Sequence, residues 1–354
     1  MVEFSAPLTA HTMAFHELRL IERIAKQAKT TTDPSVLVNI GDDCGVIRPS
    51  DGHNLLVTTD TLVENVHFDL AYFDPFSLGR KTTAVNLSDI AACGGTPRWA
   101  FLNLAVRTGL PDDFFELFLN GLFTELRGYG VHLTGGDTVS SHNELSITLT
   151  LLGETRPNLH LTRSTARSGD LIYCSGTLGD AACGLHWLIN QKSRKNRLAM
   201  PKYLRFALKR AIKRHLTPIP RLALGRALAE KGLATACIDS SDGLATDIAH
   251  ICTQSGVMAE IDTKAIPISR SSRLLCRTLG LSPVKMALTG GEDFELIWTT
   301  PPDKERDMLN TAAIILGYTP FRIGRIQEGK GVWLVSLSHG RQEISYQGFE
   351  HGSE

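Results

Sequence analysis

Short apolar runs of strand length alternate with apolar stripes at helical spacing along most of this 354-residue chain. The stripe from Phe15 to Ala28 predicts a helix, whereas Trp99–Val106 and Leu171–Cys174 predict strands. Strands that alternate with helices are typical of layered α/β folds, and a chain of this length favours two domains. We therefore predict an α/β (α+β layered) architecture of two domains.

The same periodicities predict the remaining elements and the domain boundary. The turn at 163–169 (RSTARSG) is the predicted junction, so we expect an arm at 1–13, an N-terminal domain at 14–160 and a C-terminal domain at 161–354. Further helices are expected at Phe76–Ala92, Asp112–Leu126, Gly179–Asn190, Tyr203–His215, Arg221–Lys231 and Ala245–Gln254. Further strands are expected at Val36–Ile40, Asn54–Thr59, Leu145–Leu152, Met258–Ile261, Phe294–Thr299, Phe321–Ile326 and Val332–Leu337.

Charge and hydropathy exclude several classes of protein. The 37 Lys and Arg residues balance the 37 Asp and Glu residues, so no overall basic excess marks a nucleic-acid or anionic-membrane binder. No apolar run reaches the roughly 18–20 residues of a membrane helix, and Met1–His11 does not read as a secretion signal. We therefore expect a cytoplasmic protein.

The basic stretch at 191–197 (QKSRKNR) favours a solvated loop, with a patch for phosphate or an acidic partner as the alternative.

The cysteines predict reduced thiols and no disulfide framework. Their number is odd, and no two are spaced as CxxC. Small buried side chains are the expected role of most of them. They are Cys44, Cys93, Cys174, Cys183, Cys237, Cys252 and Cys276.

Acidic residues recur at the ends of apolar runs, beside Gly, Ser or Thr. A carboxylate at a buried strand end is costly to desolvate without a partner, and strand ends border the ligand crevice of open α/β sheets. Lys and Arg are scarce beside these motifs, apart from Lys81 and Arg163, so hard divalent cations are the natural partners. The pattern predicts a metal-bridged polyphosphate site, although each motif alone also fits a helix cap or a turn. The motifs are 41–43, 58–60, 87–89, 135–138, 238–243 and 290–293.

Common nucleotide and hydrolase motifs do not explain this pattern. The sequence Gly324-x4-Gly329-Lys330 is followed by Gly331 and a strand-like run, where a P-loop needs Ser or Thr and a helix. No GxGxxG precedes a predicted helix, and HExxH and GxSxG do not occur. Any bound ATP must therefore be held without those phosphate-binding loops.

The ordered motifs resemble the thiamine-monophosphate kinase family, within the aminoimidazole-ribonucleotide-synthetase-like superfamily. The resemblance runs from about Phe15 to Phe349. It implies a two-domain fold whose N-terminal domain binds ATP and metal and forms a homodimer through a mixed sheet. It also implies ATP-dependent phosphorylation of thiamine monophosphate to thiamine diphosphate, with several Mg²⁺ ions and commonly K⁺. The motifs are GDDCGV (41–46), TTDTLVENVHF (58–68), AVNLSDIAACGGTPRWA (84–100), GGDTV (135–139), SGDLIYCSGTLGDAACGL (168–185), IDSSDGLATDIAHI (238–251) and GGEDFEL (290–296).

The resemblance also implies roles for individual positions. The positions that match metal ligands are Asp43, Thr58, Thr59, Asp60, Asp89, Asp137, Asp239 and Asp242. Those that match ATP contacts are Tyr129, Gly136, Asp137, Arg163 and Ser241. Those that match contacts to the thiamine phosphate are His67, Glu292 and Phe349. No side chain is expected to act as a covalent nucleophile.

Two other kinds of protein stay open at the sequence level. One is another ATP-dependent enzyme of the superfamily. A selenophosphate synthetase needs a reactive cysteine near the N-terminus, for which Cys44 is the candidate. The purine-pathway relatives have different glycine-rich sequence motifs. The hydrogenase-maturation type needs a C-terminal cysteine, which the sequence FEHGSE does not provide. The other is a non-catalytic nucleotide or metal sensor, against which the complete set of predicted ligands argues.

Overall fold

The computed structural model describes residues 17–29, 33–192, 201–336 and 340–348. The chain divides into two compact units, and three segments far apart in sequence contribute to each. The first unit comprises residues 1–48, 59–83 and 98–151, and the second comprises 49–58, 84–97 and 152–354. Within the described ranges, no helix combines the length and apolarity needed to cross a bilayer.

The described residues form ten α-helices and one short 3-10 turn at Pro302–Lys304. The first three helices belong wholly or partly to the first unit and the rest to the second. They are α1 (Glu17–Ala28), α2 (Pro75–Ala92), α3 (Phe114–Gly128), α4 (Asp180–Lys192), α5 (Lys202–Leu216), α6 (Leu222–Glu230), α7 (Leu244–Ser255), α8 (Arg270–Leu279), α9 (Pro283–Thr289) and α10 (Glu305–Leu316).

The strands of the described residues form three sheets. They are β1 (Val36–Val38), β2 (Val46–Ile47), β3 (Asn54–Val63), β4 (Thr96–Arg107), β5 (His132–Ser141), β6 (Ser146–Thr155), β7 (Leu171–Cys174), β8 (Ala236–Asp239), β9 (Met258–Asp262), β10 (Leu296–Thr300), β11 (Phe321–Gln327), β12 (Gly331–Ser336) and β13 (Gly340–Glu343). The order is β3-β6-β4-β5 in a four-stranded sheet and β13-β12-β9-β11-β7-β10-β8 in a seven-stranded sheet, and β1 pairs with β2. Helices contact both larger sheets: α1 and α3 lie against β5, and α7 lies against β9 and β12, so the predicted α/β class is confirmed.

Glycines allow α2 and α3 to cross closely in the first unit. A Cβ on Gly79 of α2 would lie 2.0 Å from the carbonyl oxygen of Phe118, and a Cβ on Gly121 of α3 would lie 2.0 Å from that of Phe76. Neither backbone could approach so closely if a side chain stood at either position. Phe114, Phe118 and other apolar side chains of α3 are buried against this core.

Both faces of the seven-stranded sheet are covered in the second unit. Ile172 and Cys174 of β7 point into one apolar cluster, together with α7 side chains, while Leu171 and Tyr173 point into another that includes side chains of α6 and α10. A strand buried on both faces needs apolar residues throughout, which explains the uninterrupted sequence of β7.

The cysteines follow the sequence prediction in part. Five of the seven are buried, as expected of small apolar side chains, whereas Cys93 is half-buried and Cys44 is exposed, so the prediction is wrong for Cys44. Gly324 lies inside β11, and Lys330 is followed directly by strand β12, so the near-match to a P-loop has no helix after it.

Candidate functional site

Two loops of the second unit lie side by side at the start of α7. The loop at 240–243 follows β8, and the loop at 290–295 precedes β10. The backbone N–H of Glu292 donates to the carbonyl of Ser241, and that of Phe294 donates to the carbonyl of Ser240, both at 2.8 Å. These bonds bring the predicted site residues Ser241, Asp242 and Glu292 together.

Glycine permits this close approach of the two loops. A Cβ on Gly291 would lie 2.0 Å from the carbonyl oxygen of Ser241. A third segment also reaches the first loop, because a Cβ on Gly348 would lie 2.3 Å from the carbonyl oxygen of Asp242. The N–H of Gly348 donates to the hydroxyl of Thr246 at 2.8 Å. A glycine at 291 is therefore needed for contact between the two loops.

The second half of α2 adds more predicted ligands to the same unit. The hydroxyl of Thr58 donates to Oδ2 of Asp89. The hydroxyl of Ser88 donates to Oδ2 of Asp239 at 2.6 Å, which joins α2 to the end of β8. Asp239 is itself buried. Hydroxyl groups, which are neutral, thus satisfy part of the hydrogen-bonding capacity of each carboxylate.

The electrostatic environment of Asp89 includes one of the predicted ATP contacts. Burial raises the pKa of Asp89, although the hydrogen bond from Thr58 and the positive charge of Arg163 act in the opposite direction. Burial, followed by the negative charge of Asp89, also raises the pKa of the Cys93 thiol. The raised pKa keeps the Cys93 thiol neutral, and a neutral thiol is a poor nucleophile.

Asp247 is a site residue that sequence reasoning did not single out. Its carboxylate accepts the backbone N–H groups of Asp242 and Gly243 at 3.3 and 3.2 Å, so it supports the loop from the first turn of α7. Burial, followed by the charges of Asp239 and Asp242, raises the pKa of Asp247 well above its ordinary value. The signal was available, since an acid in the first turn of a helix commonly binds backbone N–H groups.

In the first unit, the loop that carries Asp43 packs on β5. A Cβ on Gly45 would lie 2.9 Å from the carbonyl oxygen of Thr134. Asp43 is exposed, and its backbone N–H donates to the side chain of Asp42 at 2.8 Å. The carboxylate of Asp43 is therefore presented on the surface of this unit, near the beginning of the GGDTV motif.

The expectation that acidic motifs stand at strand ends is correct for Asp239 and wrong for two others. Asp60 lies inside β3 and Asp137 lies inside β5, whereas Asp89 lies inside α2, the helix that the sequence predicts at Phe76–Ala92. β5 contains two glycines because it approaches β4 closely: a Cβ on Gly136 would lie 1.8 Å from the carbonyl oxygen of Leu102. Asp137 is exposed, and the next residue donates its N–H to Oδ1 of Asp137 at 2.8 Å.

His67 and Tyr129 occupy defined backbone positions in the first unit. Nδ1 of His67 accepts the backbone N–H of Val63 at 3.1 Å, which leaves the proton of a neutral imidazole on Nε2. Tyr129 follows α3 as its C-cap residue. His67 can thus offer an N–H donor to a ligand. The sequence alone does not determine which tautomer of this histidine is present.

The predicted residues divide between the two units. The first unit carries Asp43, Thr59, Asp60, His67, Tyr129, Gly136 and Asp137, and the second carries Thr58, Asp89, Arg163, Asp239, Ser241, Asp242 and Glu292. Phe349 lies outside the described residues. In the portion that is described, no three His, Cys, Asp or Glu side chains are grouped closely enough to hold a metal ion. The assignments of ligands and contacts therefore remain predictions.

Family models account for both halves of the chain. The model for the AIR synthase related protein, N-terminal domain, matches residues 41–155, and that for the C-terminal domain matches residues 167–335. Together they span most of the motifs that carry the predicted site.

Relatives and solved structures match nearly the whole chain. The thiamine-monophosphate kinase of Haemophilus influenzae is 37% identical over 345 residues, which cover 97% of this chain and 99% of that protein. The crystal structure of the Stenotrophomonas maltophilia thiamine-monophosphate kinase is 37% identical and aligns with a TM-score of 0.78 over 92% of this chain and 98% of that one. A structure of AaThiL complexed with AMPPCP and TMP is 32% identical, with a TM-score of 0.70 over 92% and 96% of the two chains. On these grounds the chain belongs to the thiamine-monophosphate kinase family.

Proposed function

We propose that the chain is an ATP-dependent kinase that phosphorylates thiamine monophosphate to thiamine diphosphate. The observation that carries this proposal is the likeness along almost the full length to thiamine-monophosphate kinases, one of which binds AMPPCP, an ATP analogue, together with TMP. The gathered loops of the second unit support it, because they bring Ser241, Asp242 and Glu292 to one place. Each of these residues belongs to one of the ordered motifs.

We further propose that magnesium ions bind the acidic residues of this site. The donor set suits a hard cation, because the carboxylates of Asp89 and Asp239 are hydrogen-bonded by neutral hydroxyls and the charges of Asp239 and Asp242 act on Asp247. The proposed ligands are Asp43, Thr58, Thr59, Asp60, Asp89, Asp137, Asp239 and Asp242. Magnesium supplies positive charge that offsets the repulsion between two anionic substrates. K⁺ is a further proposed cofactor.

The proposed mechanism is direct in-line transfer of the γ-phosphoryl group. An oxygen of thiamine monophosphate attacks the γ-phosphorus, and ADP leaves. A phosphate monoester has a second pKa of roughly 6, so the attacking oxygen needs no general base at neutral pH. Transfer of this kind depends on positioning and electrostatics, and it requires no protein nucleophile.

The chain's own residues bind and orient the two substrates in this scheme. Arg163, whose charge acts on Asp89, is proposed to contact ATP, together with Tyr129, Gly136, Asp137 and Ser241. The Nε2–H of His67 is suited to donate to the phosphate of the substrate. Glu292 pairs with the positive charge of thiamine or accepts a hydrogen bond from its pyrimidine, and Phe349 stacks on a ring.

We also propose that the protein is a cytoplasmic homodimer that associates through its N-terminal domain. One face of the four-stranded sheet supports this, because alternate side chains of β3, among them Leu55, Val57 and Thr59, are exposed there. Val139 of β5 is exposed as well. Exposed apolar side chains on a sheet are typical of a surface that another chain covers.

The deciding experiment is product analysis after the protein is mixed with ATP, Mg²⁺ and thiamine monophosphate. Formation of thiamine diphosphate and ADP in equal amounts is expected. Selenide and purine precursors, tested in parallel, report the other ATP-dependent activities of the superfamily. Calorimetry identifies a sensor, which binds ATP with magnesium but forms no product. The proposal fails if thiamine diphosphate does not appear.

Variants of two proposed ligands test the role of the acidic residues. We expect Asp60→Asn and Asp89→Asn each to lower turnover by about 10²–10³-fold or more, because each removes negative charge where the phosphate-bound cations are held. Asp307→Asn is the control, since Asp307 is exposed on α10, outside every motif. Circular dichroism checks that the fold is intact. Turnover close to that of the unaltered enzyme in either ligand variant contradicts the scheme.

A further inference from the structure

The carboxylate of Glu292 lies against a buried imidazole. Nδ1 of His215 is 2.8 Å from Oε2 of Glu292. The side chain of His215 is only 1% exposed, whereas that of Glu292 is 28% exposed. One side of the carboxylate therefore contacts the protein interior, and part of it stays accessible to a ligand.

Helix α5 brings His215 to this place with a second residue beside it. His215 and Arg214 lie in the last turn of α5. Arg214 donates to the backbone carbonyl of Asp293 at 3.0 Å and to Oε1 of Glu295 at 2.7 Å. Two consecutive side chains at one helix end therefore contact three residues of the 290–295 loop, Glu292, Asp293 and Glu295. The C-terminal end of a helix also favours a protonated imidazole, which suits a carboxylate partner.

The loop adopts a backbone conformation that needs such support. Glu292 has φ = 67° and Phe294 has φ = 49°, both in the left-handed region that residues other than glycine seldom enter. Such residues persist where the surrounding structure determines them, and they are frequent at ligand sites. The backbone bonds to Ser240 and Ser241 fix the main chain of the loop, and the His215 contact acts on the Glu292 side chain.

The distance shows that this is a close charge pair. Two unprotonated atoms 2.8 Å apart would repel each other, so either Nδ1 of His215 or Oε2 of Glu292 carries a hydrogen. A protonated imidazole attracts the carboxylate strongly in this buried place, and the attraction favours one orientation of the Glu292 side chain.

We propose that His215 is a positioning residue for Glu292 and sets the affinity for the thiamine end of the substrate. This rests on the proposed function, in which Glu292 contacts thiamine monophosphate. His215 does not touch the substrate. It holds the Glu292 carboxylate in one orientation, so that the accessible oxygen faces the cationic or hydrogen-bonding part of thiamine. Loss of the contact frees the carboxylate to rotate and lowers its contribution to binding.

The test compares two substitutions of one side chain. His215→Leu removes the imidazole, and we expect the KM for thiamine monophosphate to rise about tenfold, the effect of losing one charged contact. The KM for ATP stays within about twofold. His215→Asn places an amide N–H near the position of Nδ1 and restores much of the affinity. Equal KM values for thiamine monophosphate in all three proteins overturn the inference.

A double-mutant cycle separates positioning from general damage to the fold. If His215 acts through Glu292, then His215→Leu has no further effect on the KM in a Glu292→Gln background. Independent, additive effects overturn the inference. If His215→Leu does not fold, His215→Gln replaces it, because its longer side chain places the amide away from Nδ1. An unaltered enzyme that makes no thiamine diphosphate overturns the proposed function and the inference together, whereas normal product formation with unchanged KM values overturns the inference alone.

Discussion

Glu295 is a buried carboxylate that two guanidinium groups neutralise. Burial alone would raise the pKa of Glu295, but the charges of Arg214 and Arg221 and the hydrogen bond from Arg221 lower it below its ordinary value. Arg221 donates twice to this carboxylate, each time at 2.7 Å. We expect Arg221→Met to lower the free energy of unfolding by about 3–5 kcal/mol, since it leaves a buried negative charge with one partner fewer. Urea unfolding at pH 7 measures the change.

The control is an exposed ion pair on α6, the helix that begins directly after Arg221. Arg226 lies 3.9 Å from Glu230, and both side chains are more than half exposed. We expect Arg226→Met to change the free energy of unfolding by less than about 1 kcal/mol, because solvent screens such a pair. Equal losses in the two variants would mean that the Glu295 cluster contributes nothing beyond an ordinary surface contact.

Asp293 predicts a dependence of stability on pH. Burial raises the pKa of this carboxyl from 3.8 to about 7, although the charge of Arg214 and the N–H groups of Ala181 and Gly179 act in the opposite direction. The folded state therefore holds a proton that the unfolded chain releases, so stability falls as the pH rises from about 4 to 7. The slope is at most about 1.4 kcal/mol per pH unit. Urea unfolding across this range should show a flatter profile in Asp293→Asn.

The opposite shift of Glu295 does not mask this effect. The lowered pKa of Glu295 makes its contribution present above 4.5, the ordinary value, and lost only as the pH falls further through the folded pKa. Asp89 and Asp247, whose pKa values burial also raises, add to the same decline, so the difference between the unaltered protein and Asp293→Asn is what reports on Asp293. A steeper decline in Asp293→Asn than in the unaltered protein would contradict the assignment.

For single residues, the sequence predicts which side chains belong to a site better than it predicts which other side chains they contact. The carboxylates at 239 and 242 could be recognised because an apolar run ends there and a predicted helix begins soon after, although the strand β8 itself was not predicted. The contact between His215 and Glu292 could not, because it depends on how α5 packs beside the loop before β10. A single histidine at the end of a basic helix has no pattern that identifies its partner.

Helices α2 and α3 test how strongly their crossing depends on glycine. An added Cβ at Gly79 or Gly121 would lie 2.0 Å from a backbone oxygen of the other helix, and a backbone cannot move aside as a side chain does. We expect Gly79→Ala and Gly121→Ala each to lower the free energy of unfolding by about 1–3 kcal/mol or more. Gly128, at the end of α3, has nothing within 4 Å of such a Cβ. Chemical denaturation should therefore find Gly128→Ala neutral or up to about 1 kcal/mol more stable, and equal losses at all three sites would contradict the close crossing.

Periodicity identified most elements and missed those whose signals lie at their ends. β7 has the predicted bounds, and α2 begins one residue before the predicted start. Helix α8 was missed because Arg and Ser interrupt its apolar stripe, although Ser269 caps its start and Gly280 follows its end in the left-handed conformation. β5 was missed because Gly135 and Gly136 are unfavourable in a strand unless a neighbouring backbone comes close, as β4 does here.

At the scale of the whole molecule, the order of strands was beyond the reach of local pattern. β10 pairs with β7 and β8, and β9 pairs with β11 and β12, so neighbours in the sheet come from distant parts of the chain. Period and length say that a segment is a strand, but they do not say which strand lies beside it. The ordered motifs implied a two-domain fold with a mixed sheet, but they gave no order of strands.

The last prediction concerns association of whole chains. If the exposed face of the four-stranded sheet forms the proposed homodimer, light scattering should give about twice the chain mass of 38.7 kDa. Leu55→Arg should lower the measured mass toward that of one chain, since a charge buried without a partner in an apolar interface is costly. Ile314→Arg is the matched control, because Ile314 is an exposed large apolar residue on α10. The control should keep the mass of the unaltered protein. A single-chain mass for the unaltered protein would contradict the homodimer, and dissociation by both variants would contradict the assignment of the interface to this sheet.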